Sequence, residues 1–590
     1  MVSRLNSLRR ALADYSLRKF ILFAVNPAHW RQLLEERRRA RAQVEEFSRQ
    51  VSNWQEILAS ACSEPNPFFR PWLRGDSGND LQSSQGSEPF ALTESSDPEV
   101  ILGRDRLGWM LQSALIDDVS PWQDFDKWFA ERWTSGISCR DAYTLSERLA
   151  NLTMMWALET PPAANSDEVL RMMENDAERL LASIEYHGDS KTNNHVLNNA
   201  RGLILFGAFA GNARFFAAGS TLLHIELSKH VLADGVLREG SSHYQWVVTR
   251  WVVEIACAFH AVDRQRFQLL LPLLERMLNA CEEMKLGPPG RKYLPLVGDI
   301  SPDFPPGFYA GLTDFGYAVI GAGDEVSSSI EVRAGFWGHY FVGRSKHDVH
   351  DTWYSSDGSW GRVTTGQWSI LTHADRQSHD NRTTHGHHDL FSFELAFAGT
   401  PLIVDPGRKS YSAPRDSEDA GILEEWHNTI MVNRARTGFV PRGYMPADWL
   451  KQWRSRPELE VSETGLGIRL DAPHEIPGVS RIQRTIQCLA PDRVRIVNQV
   501  FKNTAGGIDV LLVLYLMGEV RLTGHRADVT LGGRCFRLNW AGLGTPLIRL
   551  VSRYVSYGSA EPCTRLEWNI EAETGTWESV ITVELSGSNE

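Results

Sequence analysis

The segment His373-Ala-Asp-Arg-Gln-Ser-His379-Asp-Asn-Arg-Thr-Thr-His385-Gly-His387-His388-Asp389 crowds five of the chain's 18 histidines into sixteen residues. It runs directly into Leu390 to Phe397, an apolar stretch that reads as a β-strand. The same strand periodicity holds on the C-terminal side of about residue 330. It begins at Gly338 to Arg344 and returns at Pro401 to Val404 and Thr429 to Asn433. It continues at Arg481 to Cys488, Arg493 to Val500, Val510 to Leu516, Ile548 to Tyr554 and Glu578 to Leu585. Many short strands separated by turn residues predict stacked antiparallel sheets.

On the N-terminal side the period is helical from about 105 to 285. Ser166-Asp-Glu-Val-Leu-Arg-Met-Met opens like a capped helix, and Val169, Leu170, Met173, Leu180, Leu181 and Ile184 recur at helical spacing. Further helices are expected at Leu197 to Ala210, Phe215 to Ala233, Gln245 to Val262 and Gln265 to Met284. Gly287 to Gly307 is crowded with Pro and Gly and ends the run, while Gly75 to Glu99 reads as an exposed polar loop. The expected architecture is a multidomain α+β chain, with a helical toroid or barrel over 1–325 followed by an antiparallel β-sandwich over 326–590.

At 590 residues the chain exceeds the size at which one core stops growing, which also implies more than one domain. With 42% hydrophobic and 23% charged residues the composition is that of an ordinary globular protein. A net charge of −12 argues against a nucleic-acid partner held by bulk electrostatics. It leaves room for an anionic ligand in a locally basic cleft, since screening confines charges to about 8 Å. Seven scattered cysteines without a C-x-x-C pair fit reduced, mostly buried thiols. The apolar run Phe20 to Val25 is too short for a signal-peptide core, and no stretch reaches the roughly 20 apolar residues of a membrane span. The expectation is a cytoplasmic protein, with export by a route the sequence does not display left open.

Three constellations carry chemistry. In the first, His385 and His387 precede a strand, Asp405 sits at the turn Val404-Asp-Pro-Gly407, and His427 precedes Asn428-Thr429. His, Asp and His from three strand ends make a ligand set suited to zinc with a fourth position open. The same histidines also read as a solvated loop in which they cluster by chance. In the second, Asn193, Asn194, His195 and Arg201 surround a helix start, where carboxamide donors suit a carboxylate; capping alone explains them equally. In the third, Glu239-Gly240-Ser-Ser-His243-Tyr244 places a Tyr at the opening of an apolar helix, which by spacing alone is ordinary packing.

Together these segments resemble the heparinase II/III-like superfamily of polysaccharide lyases, which includes related alginate lyases. The family's Asn-His motif resembles Asn194-His195, and its Glu-Gly-x-x-x-Tyr segment resembles Glu239 to Tyr244. Its H-x-H-x-D before a strand resembles His385 to Asp389. Its Asp-Pro-Gly turn with a following Tyr resembles Asp405 to Gly407 with Tyr411, and its His-Asn-Thr resembles His427 to Thr429. All five occur in the family's order.

The resemblance implies an (α/α) toroid with antiparallel sheet domains, a cleft between them, and β-elimination beside a uronate in an anionic polysaccharide. It implies that Asn194, helped by His195, neutralises the carboxylate. Tyr244 is then the Brønsted group at the leaving oxygen, and His385 a second base on the opposite side of the sugar. Glu239, His243, Arg201 and Arg382 are expected to line the substrate, with Arg238 and Arg376 as further cations near the motifs. His387, Asp405 and His427 match the family's zinc ligands, where the ion is structural. His388 and Asp389 depart from or compete with that set. His347, His350, His373 and His379 are read as surface groups or as supports for the site.

Glycosaminoglycans such as heparan sulfate, hyaluronan or chondroitin are the first expectation for substrate, with alginate or a bacterial exopolysaccharide second. From other classes, a non-catalytic glycan-binding protein would not need a Brønsted pair. A glycoside hydrolase would need two cleft carboxylates with divergent pKa values.

Overall fold

The computed structural model describes residues 65–73, 97–115, 120–321, 336–341, 349–374, 385–411, 421–435 and 455–588, less a few short breaks, with scattered single positions elsewhere. Helices come first: α1 Pro98–Arg106, α2 Gly108–Ser113, α3 Pro121–Trp128, α4 Ala142–Leu158, α5 Ser166–Ala182 and α6 His195–Phe209. They continue with α7 Ala213–His230, α8 Ser242–Val262, α9 Arg264–Glu283, α10 Leu312–Ile320 and α11 Phe336–Tyr340. The five helices anticipated from periodicity all appear within a few residues of their expected ends. α5 starts at Ser166 as expected, yet no side chain caps it.

Helix α4 is buried from Ala142 to Ala157 and α6 from Val196 to Phe209, so both are covered on all sides. α6 packs against α4, α7 and α8, which places it at the centre of the helical half. A helix buried all round cannot show a polar stripe, so its polar residues must satisfy one another. Arg201 of α6 reaches Glu254 of α8 at 2.5 Å and Glu147 of α4 at 2.7 Å. Arg250 reaches the same Glu254 at 2.6 Å and donates to Asn151 of α4 at 2.9 Å. This charge network pins three central helices in one register.

The C-terminal half holds two antiparallel sheets. Their strands, in chain order, are β1 Thr352–Tyr354, β2 Trp360–Thr365, β3 Trp368–His373, β4 Phe393–Phe397, β5 Thr400–Ile403 and β6 Ile430–Val432. Next come β7 Glu458–Ser462, β8 Gly465–Asp471, β9 Val479–Ala490, β10 Arg493–Lys502, β11 Ile508–Leu516 and β12 Glu519–Leu522. The last are β13 Arg526–Leu531, β14 Arg534–Ala541, β15 Leu547–Ser556, β16 Ser559–Ala572 and β17 Trp577–Ser588. The first sheet runs β1-β2-β3-β4-β5-β11-β16-β15 with β6 also on β11; the second runs β12-β13-β14-β17-β10-β9-β8-β7.

One apolar core fills the space between the sheets, from Trp368, Leu395 and Leu512 to Ile486, Ile496 and Ile581. A second, smaller cluster joins Leu232, Ala280, Met284 and Val297 of the helical half to Trp360, Leu371 and Ala396 of the first sheet. The middle of that sheet is therefore covered on both faces. This explains why β3 and β4 are buried at every position, whereas β10 alternates.

One expectation changes. Gly338 to Arg344 was expected as a strand, but Gly338 to Tyr340 lie in the helix Phe336–Tyr340, and 342–344 lie outside the described residues. Its Phe336 and Trp337 stack on Phe308 and Phe315, so aromatic contacts with the helical core override the strand-like composition. Among the described residues the helical core runs through Phe341 and the first strand starts at Thr352. The six described cysteines are free, and among the described residues no helix is long and apolar enough to cross a membrane.

Removing Arg201 would leave Glu147 and Glu254 buried without their shared cation. Arg201→Leu is expected to cost about 3–5 kcal/mol in denaturant unfolding, as for other broken buried pairs. A loss below about 1 kcal/mol would show that the network does not hold these helices together.

Candidate active site and metal centre

The site is assembled where three backbone segments cross. Gly240 (φ +68°) and Gly298 (φ +78°) adopt left-handed conformations that favour glycine. A Cβ on Gly298 would lie 2.5 Å from the Gly240 carbonyl oxygen and 2.8 Å from that of His385. Only glycine permits that approach. The crossing is then tied by side chains: Ser241 accepts from the Tyr244 amide at 3.1 Å, capping α8, and donates to the Asp299 carbonyl at 2.7 Å. The Asp299 amide donates to the His385 carbonyl at 2.8 Å. His373 lies beneath Gly240, packed on Trp360 at 4.4 Å and 3.3 Å from Asp389. It is a buried support for the turn.

Asp299 organises the centre. Its carboxylate accepts from His385 Nδ1 at 3.0 Å, His387 Nε2 at 2.8 Å and Arg408 at 2.6 Å. Burial pushes its carboxyl up, but Arg408 and the two imidazoles outweigh burial and hold it well below the usual range. With Nδ1–H assigned to the Asp299 bond, His385 Nε2 keeps its lone pair; Glu239 Oε2 lies 3.5 Å from it.

The His385 ring stacks on the Tyr244 ring at 3.5 Å with the planes 9° apart. Tyr244 Oη is 3.2 Å from Tyr411 Oη, and the Arg408 guanidinium sits 3.9 Å over the Tyr411 ring. Burial holds the Tyr244 phenol well above its ordinary value of about 10, against the pull of the Tyr411 bond. The expectation that Tyr244 and His385 face each other across a sugar is corrected here. Rings in van der Waals contact leave no space for a substrate between them.

The Asn194 amide donates to Glu239 Oε1 at 2.9 Å, which links it through Glu239 to His385. The Asn194 side chain is fully buried, and among the described residues neither its oxygen nor its nitrogen has a partner. His195 is partly exposed, 3.1 Å from Glu185, and packed on Tyr143 at 4.6 Å. Tyr143 in turn donates to Asp303 at 2.7 Å.

Three of the expected substrate contacts are revised. Arg201 is locked inside the helical half by Glu147 and Glu254 and cannot reach a ligand. His243 is fully buried and accepts from the Ser301 amide at 3.0 Å; burial pushes its imidazole down to about 3, so it is a neutral packing group. Glu239 is also fully buried and serves to position Asn194 and His385. Arg382 and Arg376 lie outside the described residues.

The expected metal ligands do come together. Donor atoms of His387, Asp405 and His427 all lie within 4.8 Å of one another, and all three side chains are buried. His387 Nδ1 and His427 Nε2 are buried without partners, while the other nitrogen of each ring is held by a carboxylate, Asp299 and Asp405 at 2.8 Å each. A carboxylate behind an imidazole fixes its tautomer and aims the free nitrogen at an ion. The donor set and the two orphaned nitrogens therefore fit zinc. Asp389 turns to His373, and neither it nor His388 joins the group. Arg484 clamps the two ligand-bearing segments, donating to the carbonyls of Phe391 at 2.7 Å and Asn428 at 2.6 Å.

Asp299, Arg408 and Tyr143 went unassigned in the sequence. Arg408 follows Asp405-Pro-Gly407 directly, so proximity to that turn was a usable signal. Asp299 lay in a Pro- and Gly-rich stretch that read only as a break between domains, and Tyr143 carried no signal.

Residues 348–572 match the family model of the heparinase II/III-like C-terminal domain. No curated protein matches the chain in sequence. Among solved structures, a heparinase III is similar with a TM-score of 0.60 at 12% identity, over 86% of this chain and 80% of that one. A heparan sulfate lyase HepC mutant from Pedobacter heparinus gives 0.56 at 14% identity, over 93% and 89%. The heparinase III BT4657 gene product gives 0.54 at 13%, over 85% and 80%. Residues 348–572 thus match a heparinase II/III-like C-terminal domain, and the helices-then-sheets fold of the whole chain is similar to that of these structures.

Proposed function

We propose that the protein is a polysaccharide lyase that cleaves a uronate-containing glycan by β-elimination. The observation that supports this most directly is the Asn194 carboxamide, buried and unpartnered among the described residues, on a residue whose backbone N–H is held by Glu239 beside His385 and the buried Tyr244 phenol. A buried amide without partners costs free energy unless a ligand completes it. A uronate carboxylate fits, because elimination requires that carboxylate to be neutralised before the C-5 proton becomes acidic enough to leave.

The chemistry then follows from the stack. His385 Nε2 takes the C-5 proton, and the C–H electron pair becomes the C4–C5 double bond. The bond from C-4 to the glycosidic oxygen breaks, and the Tyr244 hydroxyl donates its proton to that oxygen. A phenol kept neutral by burial is suited to donate. The imidazolium and phenolate that result lie in contact, so each charge offsets the other in a dry site. Asp299 steadies the imidazolium as the carboxylate of a catalytic triad does. Because both groups reach the sugar from one side, a single uronate epimer is the expected substrate, not both.

Hydrolysis fits less well. Asp299 is held ionised by three donors and Glu239 is committed to Asn194, so neither serves as the proton-donating carboxyl that a glycosidase needs.

Glycosaminoglycans remain the first substrate class. The locking of Arg201 and the pairing of Arg408 with Asp299 favour a second reading, a weakly sulfated or unsulfated polymer such as alginate or an exopolysaccharide. Zinc is proposed at His387, Asp405 and His427, where its role is to hold the β-domain segments that carry His385. Elimination consumes no water, so no step is assigned to the ion.

Incubation with heparan sulfate, hyaluronan, chondroitin sulfates and alginate, followed by ultraviolet absorbance, tests the reaction. A rise from the conjugated product is expected with at least one polymer. New reducing ends without it would replace elimination by hydrolysis. Tyr244→Phe is expected to reduce turnover at least 10³-fold, of the order that general acid catalysis supplies, with KM nearly unchanged; full activity in that variant removes the tyrosine from the mechanism. Elemental analysis is expected to find about one zinc per chain, and His427→Ala to lose it together with several degrees of thermal midpoint. Purified protein without metal would overturn the zinc assignment.

A further inference from the structure

Away from the catalytic centre, the seam between the two halves holds an open pocket of about 590 Å³ lined by Arg291, Lys292, Gly399, Thr400, Gly532 and Arg534. Three lining side chains are cationic and none is acidic. Among the described residues neither Arg291 nor Arg534 has a carboxylate partner. The Arg534 guanidinium is placed over the Phe397 ring at 5.4 Å, which holds it without neutralising it. The carboxylate paired with Lys292 is Glu282 at 3.9 Å, already committed to Lys285 and Thr313 at 2.6 Å each. Burial, with Lys285 and Arg362, depresses the Lys292 ammonium despite Glu282, a strain that a bound anion would relieve.

The pocket is also rigid. Gly399 has φ +76°, and a Cβ there would lie 1.8 Å from the Arg291 carbonyl oxygen. The backbone of the helical half at Arg291 is thus packed closely against the turn between β4 and β5. Lys292 precedes Asp299 by seven residues, so the pocket lies within about 25 Å of the catalytic carboxylate by chain length alone.

We propose that this pocket is an anion subsite that holds a sulfate or carboxylate of the glycan beyond the segment being cleaved. The volume is that of a ligand pocket. The inference rests on the proposed glycan substrate for its ligand, although its chemistry is that of any oxyanion.

The test compares Arg291→Gln/Arg534→Gln with the parent, both carrying Tyr244→Phe so that nothing is cleaved. The Arg291 carbonyl that packs on Gly399 survives the substitution, and the thermal midpoint checks folding. Binding is measured by calorimetry against heparan sulfate oligosaccharides, unsulfated uronate oligosaccharides and inorganic sulfate at several salt concentrations. Long oligosaccharides are expected to bind about tenfold or more weakly to the double variant, with a shallower salt dependence. In the Tyr244 background, turnover of the shortest cleavable oligosaccharide is expected to be unchanged while KM for polymer rises. Unaltered affinity and salt dependence would overturn the subsite. An effect on inorganic sulfate alone would overturn the glycan as its ligand. If no polymer is cleaved but the double variant still loses affinity for anionic glycans, the lyase reading fails and the subsite stands.

Discussion

The buried carboxylate of Asp299 is the interaction on which the site depends. It faces His385, His387 and Arg408 at once, so the proposed base, one proposed metal ligand and the cation over Tyr411 share one anion. An isolated carboxylate in that position would be costly to bury. Here the three donors more than offset burial and keep it charged. Its own backbone is fixed by Gly298, where no other residue fits, and by the His385 carbonyl. Displacing Asp299 would therefore disturb both elements of the site together, since the same two oxygens serve both.

Asp299 belongs to the helical half, whereas His385, His387 and Arg408 belong to the sheet half. The site exists only while the halves are docked. Docking is supplied by the apolar cluster of Leu232, Met284 and Val297 with Trp360 and Leu371, reinforced by Tyr293 donating to Glu394 at 3.0 Å. A second bridge lies at the N-terminus of α1, where Asp97 accepts from Tyr557 at 2.9 Å and from Ser410 at 3.2 Å, beside Tyr411. The joint is thus apolar at one place and polar at others, and the polar contacts converge on the candidate site.

Helices α5 and α9 and strand β10 were legible because a stripe or an alternation survives burial on one side. Helices α6 and α8 and strand β11 are buried almost throughout and were legible instead as long apolar runs bounded by turn residues. Strand β3 was missed and β4 only roughly bounded, because a sheet covered on both faces loses its alternation. Phe336–Tyr340 misled for the opposite reason: its aromatic residues suit a strand, and only distant partners make it a helix. In the site, the residue types flagged by motif were brought together wherever the motif itself touches the centre. Arg201 and His243 failed as ligand contacts because sequence proximity to a motif does not show which side of a buried helix a residue occupies. Asp299 is eighty-six residues from His385 in the chain, and no local pattern could pair them.

The stacked pair of Tyr244 and His385 narrows the chemistry more than the motif resemblance does. Two Brønsted groups on opposite faces could act on either epimer, each with its own protonation state. In the proposed mechanism two groups in contact act as one unit, because a proton gained by the imidazole and a proton lost by the phenol place opposite charges on stacked rings, where they stabilise each other. The neutral pair and the ion pair carry the same net charge, so passing between them requires no compensating charge movement elsewhere in the buried site. That property suits a reaction in which one proton is taken from carbon while another is delivered to oxygen. In the same proposed mechanism one hydrogen bond from Tyr411 to the phenol oxygen and the Arg408 cation above the Tyr411 ring would favour the phenolate side of that exchange.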